Sequence, residues 1–291
     1  MLGKLMKYEW KSLSKICSIM LLSIAVVTVI GCVLLSFPGT MAVFSDDSTY
    51  TELQTMALAF TFMISFMLYM FMLVGITYGI MIYIGVHFYK TMYTDQGYLS
   101  HTLPVTPNQL FLSKTLTSGL WYMLIMVATL ISIFALIFSF AAGMMGSEGY
   151  SIGEMFAELI NELSTADMEA ELGMSMFHYC AFMLFSMLIG PFTAVIMIFG
   201  ALTIGQLSKK YKAMMGILAY FGIMVINMIV NMIAQMVATI GSTVSMMSNP
   251  DAVTTMNMGS IYDSSMIVSI LMAVILYFVS YYILNHKLNM E

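Results

Sequence analysis

Arginine is absent from this 291-residue sequence, and only 9% of the residues are charged. A soluble globular domain carries about 25% charged residues, so a water-soluble fold is excluded. Cysteine is also scarce. Cys17, Cys32 and Cys180 lie too far apart to suggest the disulfide framework of a small secreted protein. We therefore expect three buried thiols.

Motifs for chemistry are missing as well. The sequence has no Gly-x-x-x-x-Gly-Lys-Ser/Thr phosphate loop and no His-Glu-x-x-His zinc motif. We therefore predict no catalytic residues, no metal site and no cofactor bound directly by this chain. The apolar runs also contain no acid or base at mid-membrane, where an ion-coupled carrier normally binds its ion. This absence disfavours such a carrier, although backbone sites at broken helices could serve instead.

The dominant feature that is present is a series of long apolar runs, with 60% apolar residues overall. Each run is close to or above the ~20 residues that cross the hydrocarbon core as a helix. A lipid-embedded backbone must satisfy its own hydrogen bonds, which favours helices. The prediction is an all-α polytopic membrane protein in a lipid bilayer, with six transmembrane helices at residues 16–37, 56–86, 115–140, 182–204, 213–237 and 266–284.

Lysine positions predict the topology. Threading the six runs back and forth puts all ten lysines on one side and twelve of the fifteen acids on the other. By the positive-inside rule the lysine side is cytoplasmic, so both termini are expected inside. The net charge of −5 and the scattered lysines indicate no nucleic-acid partner. The lysines are Lys4, Lys7, Lys11, Lys15, Lys90, Lys114, Lys209, Lys210, Lys212 and Lys287.

Two segments outside the spans have helical periodicity. Residues 1–15 predict a basic amphipathic elbow helix at the inner interface. Glu9 interrupts its apolar face, so docking against protein and lying on lipid both stay open. The segment serves either to hold a cytoplasmic partner or simply as an anchor. Residues 143–177 predict an acidic helical outer loop between spans three and four, which is either a landing site for a cationic substrate or a solvated face.

Polar and small residues inside the spans form two patterns. Asn227, Asn231 and Gln235 repeat every four residues on span five, with Tyr220 roughly in line. Such amides either bond to neighbouring helices or line a wet path. Gly75 and Gly79 on span two form a Gly-x-x-x-Gly pattern typical of close helix packing. Both sets are candidates for a substrate path or a helix interface.

The cytoplasmic segment 88–113, between spans two and three, contains a helix start. Thr106 is predicted as the N-cap, Pro107 as the first helical residue, and Gln109 as the partner in a capping box. Span three is therefore expected to begin before the hydrocarbon.

This same segment carries a resemblance. Tyr93, the core Asp95-Gln96-Gly97-Tyr98-Leu99 and Thr102-Leu103-Pro104 resemble the loop before span three in permease subunits of type-2 ATP-binding-cassette exporters, particularly small permeases of Gram-positive gut bacteria. Gln96 departs from that pattern, which has an acid there. The close likeness covers about 20 residues, and the rest of the chain matches only in topology.

The resemblance implies a function and its partners. In that family the loop forms a coupling helix that sits in a groove of a separate ATPase subunit. The implied protein is a single six-span permease domain over residues 1–291 in the bacterial plasma membrane, paired with a second copy or a paralogue. It exports an amphiphilic substrate, and the partner ATPase supplies the ATP and Mg²⁺ chemistry. Coupling roles fall on Tyr93, Asp95, Gln96, Gly97, Tyr98 and Leu99.

Two other classes stay open from the residues alone. One is a membrane sensor or scaffold that transports nothing, whose outer loop binds a ligand and whose inner loop signals. The other is an ion-coupled carrier, which would work without an ATPase.

Overall fold

The structure, a computed structural model, describes residues 2–35, 51–94, 97, 105–145, 153, 157, 175–248 and 258–286. Within these residues the regular structure is helical. Each of the six long helices is long and apolar enough to cross a membrane, which confirms the predicted multi-pass helical class. They are α1 (Leu2–Leu35), α2 (Glu52–Tyr93), α3 (Pro107–Met145), α4 (Met176–Gly205), α5 (Lys212–Ser248) and α6 (Met258–His286).

All six helices are longer than their apolar runs. The predicted elbow helix over residues 1–15 is not a separate helix, because α1 continues without a break from Leu2 to Leu35. The junction at Ser14, Lys15 and Ile16 contains no proline or glycine to interrupt the backbone bonds. α2 has 42 residues, or about 63 Å at 1.5 Å per residue. The interfacial position of residues 1–15 and the orientation of both termini stay predictions.

Two compact units make up the chain. Unit 1 comprises Met1–Leu13, Tyr83–Met123 and Asn161–Glu291, and unit 2 comprises Ser14–Ile82 and Leu124–Ile160. Three of the boundaries fall inside α1, α2 and α3, and the fourth, between residues 160 and 161, lies outside the described residues. The expectation of one permease domain over residues 1–291 stays a prediction. Most of the predicted outer loop, 143–177, lies outside the described residues.

Unit 1 contains a three-helix core, in which α4, α5 and α6 each pack against the other two. Ala201, Ile223 and Leu276 are buried at its centre. The helices α4 and α5 approach most closely at two glycines. A Cβ on Gly205 would lie 2.4 Å from the Cα of Gly216, so side chains are excluded there. Such glycine contacts let membrane helices bring their backbones together.

Hydroxyl groups join helices in unit 2. The Ser132 hydroxyl lies 2.5 Å from the Thr28 hydroxyl and 2.6 Å from the Tyr69 hydroxyl. The Tyr69 ring also packs against Gly31, where a Cβ would come within 2.7 Å of the ring. These hydroxyl groups bond to one another between α1, α2 and α3, because lipid offers them no hydrogen-bond partner.

The three cysteines are free thiols, but they are not all buried. Cys17 is buried, as expected. Cys180 is exposed, so the prediction was wrong for this residue. Cys180 lies near the start of α4, where few other described residues cover it.

Candidate functional site

A charged cluster connects three helices within unit 1. It consists of Glu9 on α1, His87 and Thr91 on α2, and Lys114 on α3. Lys114 Nζ donates hydrogen bonds to Glu9 Oε1 and, at 2.9 Å, to Thr91 Oγ1. His87 Nε2 lies 3.5 Å from Glu9 Oε2. Lys114 is only 3% exposed and Glu9 16%, so this is a largely buried ion pair.

Burial determines what this ion pair does. Removing two charges from water costs several kcal/mol each, and their attraction offsets this cost only when the geometry and additional hydrogen bonds are good. Thr91 provides one such bond. The cluster therefore fixes the position of α1 on α3, because any movement that separates Glu9 from Lys114 would leave a largely buried charge without its partner. It also shows why an acid interrupts the apolar face of residues 1–15: Glu9 contacts protein side chains.

Aromatic contacts extend the same junction between α1 and α3. Trp10, next to Glu9 in sequence, stacks on Trp121 with ring centroids 4.5 Å apart. Trp121 lies two helical turns beyond Lys114 and is buried, as is Leu13 on α1. The first turns of α1 are thus held on α3 by an ion pair and a ring stack together.

Tyr93, a predicted coupling residue, ends α2 and points into unit 1. Its hydroxyl lies 2.7 Å from Thr203 Oγ1 on α4. Because the Thr203 hydroxyl donates to Phe199 O, Tyr93 is the donor to Thr203. Its ring meets Phe88 edge-on at 5.7 Å, and Phe88 stacks on Phe199 at 3.8 Å. The structure therefore places Tyr93 as an internal anchor of α2.

We expect Tyr93→Phe to lower the free energy of unfolding by about 1 kcal/mol, because it deletes one buried hydrogen bond and keeps the ring. Tyr78→Phe is the matched control on the same helix, since the Tyr78 side chain is exposed. Denaturation by sodium dodecyl sulfate in mixed micelles measures the free energy of unfolding of both variants. Equal stability of Tyr93→Phe and wild type would show that the bond contributes nothing.

Gly97 is the described residue of the predicted coupling core. Its N–H donates to Thr94 O at 2.7 Å. A Cβ at this position would lie 2.4 Å from Met92 O, a backbone atom that cannot move aside. Glycine is therefore required for the chain to turn back onto the end of α2. The other implied coupling residues, Asp95, Gln96, Tyr98 and Leu99, lie outside the described residues.

The start of α3 confirms the predicted N-cap. The helix begins at Pro107, and the backbone N–H of Gln109 donates to Thr106 Oγ1 at 3.4 Å. This is one of the two bonds of the predicted capping box. Asn108, the second residue of α3, accepts a hydrogen bond of 2.6 Å from the Tyr277 hydroxyl on α6. The end of α2 and the start of α3, which flank residues 94–106 of the predicted coupling segment, thus both contact other helices of unit 1.

The polar stripe on α5 does not form a single site. Asn231 Nδ2 donates to Asn227 O at 2.9 Å and to Asn227 Oδ1 at 3.2 Å, within its own helix. Gln235 is exposed, and Tyr220 packs against the core of unit 1. Bonds from the Asn pair to a neighbouring helix are not observed among the described residues, and the choice between a substrate path and a helix interface stays open. The Asn231 Oδ1 atom is buried without a hydrogen-bond partner there.

The Gly-x-x-x-Gly pattern on α2 is not used for packing within the described chain. A Cβ on Gly75 or Gly79 would meet nothing there within 4 Å. Close packing occurs instead at isolated glycines, as at Gly119, where a Cβ would lie 2.3 Å from the Phe192 ring. A path or interface role for Gly75 and Gly79 stays a prediction. Phe88, Phe199 and Thr203 were missed because only tertiary structure brings them to Tyr93.

Comparison of the chain with protein-family models, with curated proteins and with solved structures finds no match in any of the three. The six apolar helices establish the broad class, a multi-pass helical membrane protein.

Proposed function

We propose that this chain is the membrane-spanning permease subunit of a type-2 ATP-binding-cassette exporter in a bacterial plasma membrane. Support comes from the resemblance of residues 89–105 to the coupling loop of that family and from the six spans. A separate cytoplasmic ATPase binds ATP and Mg²⁺ and contacts the coupling residues Asp95 to Leu99, whereas Tyr93 anchors them to the rest of the chain. Both termini of the permease lie on the ATPase side.

The observation that carries the proposal is the anchoring of both helix ends that flank the coupling segment. At the end of α2, Tyr93 bonds to Thr203, and Thr91 bonds to Lys114. At the start of α3, Asn108 bonds to Tyr277. A loop on flexible tethers would absorb a push from a partner. A loop on anchored helix ends passes the displacement to α1, α3, α4 and α6.

The proposed mechanism follows from this anchoring. Two permease chains, or this chain and a paralogue, pair with two ATPase subunits. ATP-driven closure of the ATPases favours one arrangement of the spans over another, because the ATPases bind the coupling segments differently in the two states. The chain itself performs no covalent chemistry. An amphiphilic cargo then moves outward along a path that we assign to spans two and five.

We expect Gly97→Ala to reduce the amount of ATPase that co-purifies with a tagged chain by about tenfold, or about 1.4 kcal/mol. The added Cβ collides with Met92 O and forces the coupling segment off the end of α2. Asp95→Lys should also reduce the amount of ATPase that co-purifies, because it reverses the charge of a coupling residue. Gly190→Ala is the matched control, because a Cβ there meets nothing within 4 Å among the described residues.

The measurement is affinity purification from native membrane, followed by an ATPase assay with and without the variants. Recovery of a cassette ATPase that is lost in Gly97→Ala and kept in Gly190→Ala supports the proposal. Absence of any ATPase from the wild-type preparation contradicts it and favours the sensor or scaffold.

A further inference from the structure

The turn between α4 and α5 carries a dense group of positive charges. Lys209, Lys210 and Lys212 fall within four residues, and Lys209 and Lys210 are exposed. None of the three forms an ion pair with a described residue. The two flanking helices contain no aspartate or glutamate. This part of unit 1 therefore presents three positive charges that its own helices do not neutralise.

The turn is short and fixed in position. Its six residues, 206–211, join two helices that are each apolar enough to span a membrane. The backbone N–H groups of residues 206–208 donate to the carbonyl oxygens of residues 203–205, and the close contact of Gly205 with Gly216 joins the two helices directly behind the turn. The predicted coupling segment is longer, since thirteen residues separate α2 from α3. The lysines of the turn therefore lie at the boundary of the hydrocarbon, at the depth of the lipid headgroups.

Tyr211 stands in this turn against two local preferences. Its φ is 55°, in the left-handed region where a residue with a Cβ is strained and glycine is not. Its carbonyl oxygen accepts the N–H of Met215 at 3.0 Å, so it occupies the N-cap of α5, a position that favours Ser, Thr, Asp or Asn. The side chain is 75% exposed and makes no hydrogen bond or ring contact with a described residue. Residues that break local rules are expected at functional or strained sites, so we look for the contact of Tyr211 outside the chain.

We propose that the turn at residues 206–212 binds the phosphate headgroup of an anionic phospholipid. Lys209 and Lys210 contact the phosphate, and the Tyr211 side chain lies among the headgroups, where tyrosine is enriched in membrane proteins. The attraction of a lysine to an anionic leaflet falls off within a Debye length, so it is strongest for charges held at headgroup depth. A six-residue turn at this depth leaves little chain to reach an acidic protein beyond the headgroups. The site does not depend on the proposed transport function.

The test is native mass spectrometry of the purified full chain, titrated with phosphatidylglycerol or with phosphatidylcholine of the same acyl chains. The dissociation constant of the first bound lipid is measured for each. We expect phosphatidylglycerol to bind about tenfold more tightly, and Lys209→Gln combined with Lys210→Gln should remove this preference. Lys4→Gln combined with Lys7→Gln is the control, because it removes the same charge from two exposed lysines of α1 and should leave the preference in place.

Tyr211→Gly separates lipid recognition from folding. Glycine relieves the strain at a φ of 55°, so the melting temperature should hold or rise, whereas the preference for phosphatidylglycerol should fall about threefold. An unchanged preference in this variant, or an equal loss in the Lys4 and Lys7 control, would overturn the site. Equal affinity of the wild type for the two lipids would also overturn it and would favour an acidic protein as the partner of the turn. No ATPase is present, so this result is separate from ATPase co-purification.

Discussion

We expect Lys114→Met to lower the free energy of unfolding by about 3–5 kcal/mol, the usual cost of removing one partner from a buried ion pair. The substitution keeps the length of the apolar stem but leaves Glu9 without its cation and Thr91 without its donor. Glu9 is only 16% exposed, so water cannot fully replace Lys114. Reversible unfolding of the reconstituted protein, followed by far-UV circular dichroism, gives the measurement.

A double-mutant cycle separates the ion pair from simple packing. Glu9→Gln combined with Lys114→Met removes both charges, so the double variant should regain most of the stability that Lys114→Met loses. If the two substitutions instead add independently, the pair is not coupled and the charged cluster does not hold α1 on α3. Lys4 and Lys7 are exposed on α1, the helix that carries Glu9. Lys→Met at either position provides a control, because it removes no buried contact.

Gly205→Ala should lower stability by about 2–3 kcal/mol, because overpacking in a close-packed contact costs that much when the neighbours cannot relax. The new Cβ would lie 2.4 Å from both N and Cα of Gly216, which are backbone atoms. α4 and α5 must therefore move apart, and their shared core around Ala201 and Ile223 must open. Thermal unfolding in detergent, monitored by light scattering and circular dichroism, reports the loss.

Gly190→Ala is the matched control for this prediction. It lies on the same helix, and a Cβ there meets nothing within 4 Å among the described residues. Alanine favours a helix over glycine by about 1 kcal/mol, so this variant should be as stable as wild type or slightly more so. Equal effects of the two substitutions would mean that the contact between Gly205 and Gly216 does not limit the packing.

Local chemistry made part of this structure predictable. Hydropathy and length are properties of short windows, so the six spans follow from the sequence. The start of α3 at Pro107 follows from the Thr106 cap, because both partners lie within four residues. The elbow boundary is not confirmed for a related reason: the change from amphipathic to apolar residues near Lys15 marks a change of environment and carries no signal that stops a helix.

The contacts of the candidate site depend on residues that are far apart in the chain. Glu9 was noticed as an exception on an apolar face, but nothing local to residue 9 identifies Lys114 or His87 as its partners. The same applies to Tyr93 and Thr203, which meet only because α2 and α4 pack side by side. The glycine contact between α4 and α5 could not be predicted from spacing, because Gly75 and Gly79 are neighbours on one helix, whereas Gly205 and Gly216 form a pair between two helices.

The stack of Trp10 on Trp121 provides an intrinsic spectroscopic signal. These are the only two tryptophans in the chain, and their centroids are 4.5 Å apart. All indole emission and all indole exciton coupling therefore originate at the contact between the first turns of α1 and α3. Opening or closing of that contact will change the near-ultraviolet spectrum of the unlabelled protein, so a conformational change that reaches this junction can be followed in real time without adding a dye.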